Sequence, residues 1–489
     1  MALAAYSCHS CQQRKKRCSK QLPECATCVK LKRTCKYPEQ RKTTAHSENL
    51  SSNNQFSIGA LTNRFPPSFF IDPIMFESCG AQIPHGRITI PGRIIEYLED
   101  ISFFRILVAN YFKTVHQWMP IISRIRLHNL LSNQPLHQHE PGSILLLLSI
   151  KLILSIPDQN KGTSEVYILI KHFFLAAEAA GCFTLQMVQA GVMIALYELG
   201  HGIYPAVFST IATCARYGTA LGIDELNATD LPSTSGEEKV RVWWGILIID
   251  HILNIGVHGR QLSTRGPKKD QPLPVDDDDW DRLVATPREP QRLSNPTELK
   301  AGSFARTAQA INLLSQVFQY LGNLRAGLQL EYEHLDQLNR TILSLSNLVE
   351  EESAQRGIFL CCPVGFCSTA LLLINTPYLD GITPAHLTDE QSYKSRQLVI
   401  SEIEKIRIIA EEYLAGERGT VDETCPLFLS WLYRSAATTI FIYQETGDIK
   451  HQEQLLPVQK SIQDISQRWL VAASYVQLLE TRQFMTMAS

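Results

Sequence analysis

Cys8-His9-Ser10-Cys11-Gln12-Gln13-Arg14-Lys15-Lys16-Arg17-Cys18 is answered by Cys25-Ala26-Thr27-Cys28-Val29-Lys30-Leu31-Lys32-Arg33-Thr34-Cys35. Each half reads C-x2-C-x6-C, and the second follows the first at an offset of seventeen residues. Tetrahedral zinc takes four ligands. One ion would leave two of the six thiols over. Two ions need about eight ligand positions, and six thiolates supply them if two of the six bridge. The x2 spacing lets a pair grip one ion across a tight turn, and the x6 spacing fits a short helical turn between ligands. Six thiolates and two Zn²⁺ carry a net −2, which the interleaved Lys and Arg offset. A segment this short cannot bury enough surface to fold unaided. Metal therefore supplies the folding free energy, about 10–16 kcal/mol for structural zinc in peptides. A four-ligand finger from Cys8, Cys11, Cys25 and Cys28 would leave Cys18 and Cys35 unexplained. His9 is a ligand by type, but the cysteines already fill every position.

Charge follows the cysteines. The 489-residue chain carries 46 Lys+Arg against 48 Asp+Glu, a formal −2. Residues 1–42 hold eleven basic and two acidic side chains, or +9, and the remaining 447 residues hold −11. The near-neutral total thus hides a basic arm on an acidic body. Hydrophobic residues at 45% and charged residues at 19% exclude a mostly disordered chain. The start, Met1-Ala2-Leu3-Ala4-Ala5-Tyr6, lacks a basic segment and an apolar run of secretory type. The most apolar run, 144–156, is too short to span a bilayer. The expectation is a soluble intracellular chain without a membrane partner, in which clustered thiols point to metal before disulfides. Seven further cysteines (Cys79, Cys182, Cys214, Cys361, Cys362, Cys367 and Cys425) read as buried small hydrophobes.

Residues 36–64 are polar and read as a flexible linker, and Pro66, Pro67, Pro73, Pro84 and Pro91 punctuate the next stretch of chain. No apolar heptad stands between Lys36 and Arg93, so no coiled coil is expected there. Helical periodicity then takes over. Leu185, Val188, Val192, Leu196 and Leu199 form one apolar stripe, with Gln186, Gln189 and Glu198 on other faces. Further helices are expected over 98–115, 143–155, 164–180, 206–221, 237–256, 303–323, 333–352, 394–416, 426–445 and 458–482. The expected fold is mainly α: a small N-terminal binuclear zinc-cluster domain (1–42), a flexible linker (43–94) and a large all-α body, divided at residue 300 into a middle and a C-terminal helical region.

The N-terminal segment resembles the fungal Zn₂Cys₆ binuclear-cluster DNA-binding domain in its six cysteines, the basic run after the second and Pro23 before the fourth. The resemblance implies that Cys8 and Cys25 bridge two zinc ions, that Cys11 and Cys18 complete one and that Cys28 and Cys35 complete the other. It also implies that a short helix enters the major groove of double-stranded DNA, over a CGG-type triplet. Arg14 and Lys15 would then reach base edges and Arg17 a phosphate. Guanine O6 and N7 accept from such side chains at about 1–3 kcal/mol of discrimination per good contact. Lys30, Lys32 and Arg33 fall in the matching half, where phosphate contacts give affinity without sequence information. A basic zinc module that contacts RNA or protein remains the competing reading, and the basic run also suits a nuclear localisation signal.

Within the body, several stretches resemble the middle homology region of fungal regulators: Tyr111–Ile121, Val188–Ala190, Tyr197–Gly202, Arg216–Gly222 and Glu237–Trp244, then Asp250, Gly259-Arg260 and Leu273–Asp277. A weaker likeness lies at Arg468–Ala472. The resemblance implies a nuclear transcription factor that controls a pathway-specific gene cluster, of the secondary-metabolite type. Its body would serve self-association as a homodimer, co-regulator contact or effector sensing. Trp243 and Trp244 read as core, and Glu237, Glu238 and Arg241 as ion-paired near a helix start. Asp277-Asp278-Asp279-Trp280-Asp281 fits the D-D-x-x-D metal motif of all-α terpene synthases. The flanking prolines argue against a regular helix there, and the chain is read as no enzyme.

Overall fold

The computed structural model describes residues 7–37 and 88–487, apart from 99–100, 134, 158–162, 227–230, 232, 257–259, 283–289, 297–299, 329–331, 358–359 and 378–387. The chain divides into two compact units, Met1–Gly80 and Ala81–Ser489. Most of the expected linker, and with it Cys79 and the segment read as lacking a coiled coil, lies outside the described residues, as does Gly259.

The first unit has two one-turn helices, α1 (His9–Gln13) and α2 (Ala26–Lys30). Its buried residues are Cys8, Cys11, Cys25 and Cys28, with Cys18, Cys35 and Tyr37 packed against them. Among the described residues no aliphatic side chain takes part, and the interior they form is sulfur.

The second unit is helical, and among the described residues its only β pairing is an isolated bridge between Pro272 and Arg292. In chain order its elements are α3 (Gly92–Tyr97), α4 (Ile101–Lys113), α5 (Arg124–Asn133), α6 (Pro141–Leu154), α7 (Glu165–Ala179), α8 (Leu185–Gly200), α9 (Ala206–Ala220) and α10 (Thr234–Ile252). After these come α11 (Asp277–Asp281), α12 (Ser303–Arg325), α13 (Tyr332–Arg356), α14 (Cys361–Asn375), α15 (Asp389–Leu414), α16 (Phe428–Thr446), α17 (Ile449–Ile465) and α18 (Val471–Met487). Three helices, α8, α10 and α14, are buried nearly all round. α8 is surrounded by α6, α9 and α10, and α14 by α12, α13, α15 and α16. α10 packs on both α8 and α12 and so joins the two groups, and one continuous apolar core runs through them. No described helix is long and apolar enough to cross a membrane.

Four expectations need correction. The polar face assigned to Leu185–Leu199 is not solvated. Gln189 is buried and donates to the Ile121 carbonyl (2.7 Å) and to Glu238 Oε1 (2.9 Å). Glu198 is fully buried and accepts from Lys171 Nζ (2.8 Å) and the Tyr167 hydroxyl (2.8 Å). A buried charge is tolerated when it is paired and hydrogen-bonded. Second, α14 lies outside the expected helices, as does α5, and it contains Pro363 and Gly365. Pro363 sits in the first turn, where amide hydrogens have no intrahelical partner. Gly365 faces Trp431 so closely that a Cβ would lie 3.0 Å from its ring. Third, the helix expected over 458–482 is two, α17 and α18. Between them Trp469 is buried and Arg468 donates to the carbonyls of Ile153 and Ser155, at the end of α6. Finally, α11 is a short helix where the prolines argued against one, started by the Asp276 side chain accepting from Asp278 N (3.1 Å).

His201, at the end of α8, gives the body an acid sensitivity. It is 7% exposed, its ring centre lies 4.3 Å from Tyr197 and 5.4 Å from Trp469, and neither ring nitrogen has a hydrogen-bond partner among the described residues. Burial first, and the nearby Arg468 charge second, lower its pKa to about 3. The unfolded chain protonates this imidazole near 6.5 and the folded chain does not. Its contribution is therefore complete above pH 6.5 and falls by about 1.4 kcal/mol per pH unit as pH drops towards 3. His116 and His251 are also lowered by burial. His201→Phe should therefore flatten, without abolishing, the decline of the melting midpoint between about pH 6.5 and 5. An unchanged slope would refute the assignment.

Candidate metal centre and nucleic-acid interface

The repeat in the cysteine spacing is a repeat of backbone. α1 and α2 start immediately after Cys8 and Cys25, and each helix carries the second cysteine of its half on its first turn. Gln12 N donates to Cys8 O (3.0 Å) and Val29 N to Cys25 O (3.1 Å). Lys16 N donates to Cys11 O and Arg33 N to Cys28 O, both at 3.0 Å. Lys15 (φ 50°) and Lys32 (φ 44°) both take the left-handed conformation, which turns the chain back toward the third cysteine of each half. A non-glycine residue held there costs on the order of 1 kcal/mol, so something outside the helix must fix the turn. The x2 pair thus sits on a helix and the x6 stretch holds the turn, a finer division than the spacing alone allowed.

The sulfurs converge. Cys8, Cys11, Cys18 and Cys25 form one group within ligand reach of a common ion, and Cys8, Cys25, Cys28 and Cys35 form the other. Cys8 and Cys25 belong to both. Their Sγ atoms are 3.7 Å apart; Cys8–Cys28 and Cys11–Cys25 stand at 3.6 and 3.7 Å, and Cys18–Cys8 at 3.9 Å. A tetrahedron with Zn–S bonds of about 2.3 Å has S–S edges of about 3.8 Å, so the donor set fits zinc. Without metal the thiols compete for ionisation. Burial leads in raising Cys11 and Cys28. Against the same effect, the Cys28 amide and neighbouring thiols donate to Cys25 and bring it to about 6. Outside contacts brace the two halves: Thr27 Oγ1 donates to Arg17 O (3.1 Å), the Tyr37 hydroxyl to Gln21 O (2.7 Å) and His9 N to Lys36 O (2.9 Å).

The basic side chains surround this centre. Arg14, Lys15, Lys16 and Arg17 follow α1 and are exposed, as are Lys30, Lys32 and Arg33 at the equivalent end of α2. With four sulfurs as its interior, the unit presents its cations outward on a metal-fixed frame, the arrangement that phosphate and base-edge contacts require.

A profile described as the fungal Zn(2)-Cys(6) binuclear cluster domain matches residues 6–44, and one described as the fungal specific transcription factor domain matches residues 108–350. The chain is also similar to "Transcription factor BOA15" of Botryotinia fuckeliana (strain B05.10). The two are 32% identical over 179 residues, which cover 36% of this chain and 96% of that protein. This chain belongs to the fungal zinc-cluster transcription factors. The zinc-cluster factor carries two zinc ions in its N-terminal unit, and its family binds DNA.

It is a regulator and no enzyme, and Asp277 and Asp281, at the two ends of α11, have structural duties. Asp277 accepts from Arg241 Nη1 (2.7 Å) and Phe304 N (3.0 Å); Asp281 accepts from Arg124 Nη2 (2.8 Å) and pairs with His116 Nε2 (3.1 Å). Asp281 sits at about 2, where the His116 hydrogen bond and the Arg124 pair outweigh burial. In the factor's body Trp243 and Trp244 are core, and Trp244 Nε1 donates to the Pro272 carbonyl (2.8 Å). Glu237 pairs with Arg241 (2.6 Å), as the helical spacing predicts, whereas Glu238 pairs across to Arg126 (2.9 Å). One grouping escaped the sequence reading. Cys361, Cys362 and Cys425, expected as separate buried hydrophobes, bring their sulfurs together. Nothing in the spacing of residues 63 apart could signal this.

Proposed function

We propose that this factor reads a CGG-type triplet in double-stranded DNA and activates RNA polymerase II transcription of a pathway-specific gene cluster, of the secondary-metabolite type, in the nucleus. The observation that carries the DNA reading is the exposed basic run Arg14–Arg17 anchored between cysteines of the sulfur core. On this reading Cys8 and Cys25 bridge the two ions, Cys11 and Cys18 complete one, and Cys28 and Cys35 complete the other. Arg14 and Lys15 contact base edges and Arg17 a phosphate, while Lys30, Lys32 and Arg33 neutralise phosphates. Residues 1–42 form the DNA-binding domain, 43–94 the linker, 95–300 the middle homology region and 301–489 a C-terminal helical region. The helical body contacts co-regulators and supports a homodimer.

Selection of bound sequences from a random DNA pool by the full chain tests this directly. Enrichment of a CGG-type triplet, single or paired, is the expected result; no enrichment would assign the module to protein contact instead. Lys15→Ala should relax preference at one base by about 1–3 kcal/mol. Lys30→Ala should weaken all sites alike and lower the salt slope by about one. Equal binding of a CGG probe by chelated and zinc-loaded protein would sink the DNA reading. Unchanged metabolites and transcripts in a deletion strain would count against the pathway assignment.

A further inference from the structure

The helical body contains a second convergence of thiols. Cys361 and Cys362 open α14, and Cys425 lies in the turn before α16. Cys361–Cys362 Sγ stand 3.8 Å apart and Cys362–Cys425 3.3 Å, with all three sulfurs within 4.8 Å of one another. In the zinc cluster neighbouring sulfurs stand at 3.6–4.0 Å, a range that contains the Cys361–Cys362 separation, while Cys362–Cys425 is closer. Cys362 and Cys425 are buried, Cys361 is half-buried, and all three line a cavity of about 590 Å³. Arg356 and Arg418 line the same cavity, as do Asp277, Asp278 and Glu423.

We propose that Cys361, Cys362 and Cys425 form a third metal site, for a thiophilic divalent cation of the zinc class. Three sulfurs from two chain segments supply three corners of a tetrahedron, and the cavity leaves the fourth open to water or a small ligand, the open-position arrangement rather than the closed structural one. Loading releases the thiol protons to solvent and moves no electrons. Three thiolates and a divalent ion leave −1. A bound ion ties the start of α14 to the segment entering α16, so occupancy couples the two through one centre.

Elemental analysis of the full chain, purified under reducing conditions and titrated with Zn²⁺, reads this out. Wild type should bind about three ions and Cys362→Ser about two, with CGG-probe binding unchanged. Cys367→Ser, in the same helix, should keep three. Because Cys362 and Cys425 are buried, half-exposed Cys361→Ser provides a variant that folds; it should weaken the third ion at least about ten-fold and reduce the thiolate charge-transfer absorption of the Co²⁺-substituted protein. Saturation of wild type at two ions would overturn the proposal, as would an intact mass two units low from a Cys362–Cys425 disulfide. Equal stoichiometry in wild type and both serine variants, Cys362→Ser and Cys361→Ser, would do the same.

Discussion

Cys25→Ala will remove two zinc ions from the full chain and reduce specific DNA binding to the non-specific level, a loss of about a thousand-fold or more; Cys11→Ala will remove one. The difference follows from the shared sulfurs. Cys25 belongs to both four-sulfur groups, and Cys11 to one. Cys25 also holds the second half together: its Sγ accepts from Cys28 N (3.4 Å), and its own amide donates to Cys35 Sγ (3.3 Å). With only cysteines buried among the described residues of the unit, those residues offer no apolar core to take over when the ions leave. The unit forfeits most of the roughly 10–16 kcal/mol that structural zinc contributes. Elemental analysis and a mobility-shift titration measure the two effects. If Cys25→Ala lost no more zinc than Cys11→Ala, the bridging role would fall.

Arg241→Met will destabilise the body by about 3–5 kcal/mol, the range for removing one partner of a buried ion pair. Arg241 is fully buried in α10. It donates to Glu237 Oε1 (2.6 Å), Asp277 Oδ1 (2.7 Å) and the Val275 carbonyl (2.8 Å), and its guanidinium lies 4.1 Å from the Trp280 ring centre. Burial already pushes the Glu237 carboxyl up, and the Arg241 charge opposes it. Removing that charge leaves Glu237 to protonate or to lie buried unpaired. Asp277 also receives Phe304 N at the start of α12, so the damage spreads from α10 to the second helical group. The double variant Arg241→Met with Glu237→Gln should recover part of the loss. The exposed Lys268–Glu225 pair marks the contrast, and Lys268→Ala should change stability by less than about 1 kcal/mol. Denaturant midpoints of the full chain decide between these outcomes, and an Arg241→Met loss no larger than that of Lys268→Ala would contradict the argument.

The metal chemistry was legible in the sequence because it is local. Ligand number, spacing and the repeat all lie within 28 residues, Cys8 to Cys35. The body was legible where one helix face is apolar, as at Glu165–Ala179 or Ser303–Arg325. It was not legible where partners come from afar. Gln189 and Glu198 look like surface residues until Ile121, Glu238, Lys171 and Tyr167 are placed beside them. The break between α17 and α18 is made by Arg468 reaching carbonyls over three hundred residues earlier, and no local breaker marks it. The cysteine triad of the body is hidden for the same reason: its third member follows the first two by more than sixty residues.

The duplicated backbone of the N-terminal unit bears on polarity. α1 and α2, with their left-handed lysines, superimpose in sequence register, so the fold offers a duplex two nearly equivalent ends. What distinguishes them is side chains: Arg14 stands where the second half has Leu31, Arg17 where it has Thr34, and Gln13 where it has Lys30. On the proposed reading, the direction in which the unit faces along an asymmetric site is written in those three differences and not in the scaffold. Leu31→Arg and Thr34→Arg together with Lys30→Gln would give the two ends the same charges, and a factor so altered would lose its sense of left and right on DNA.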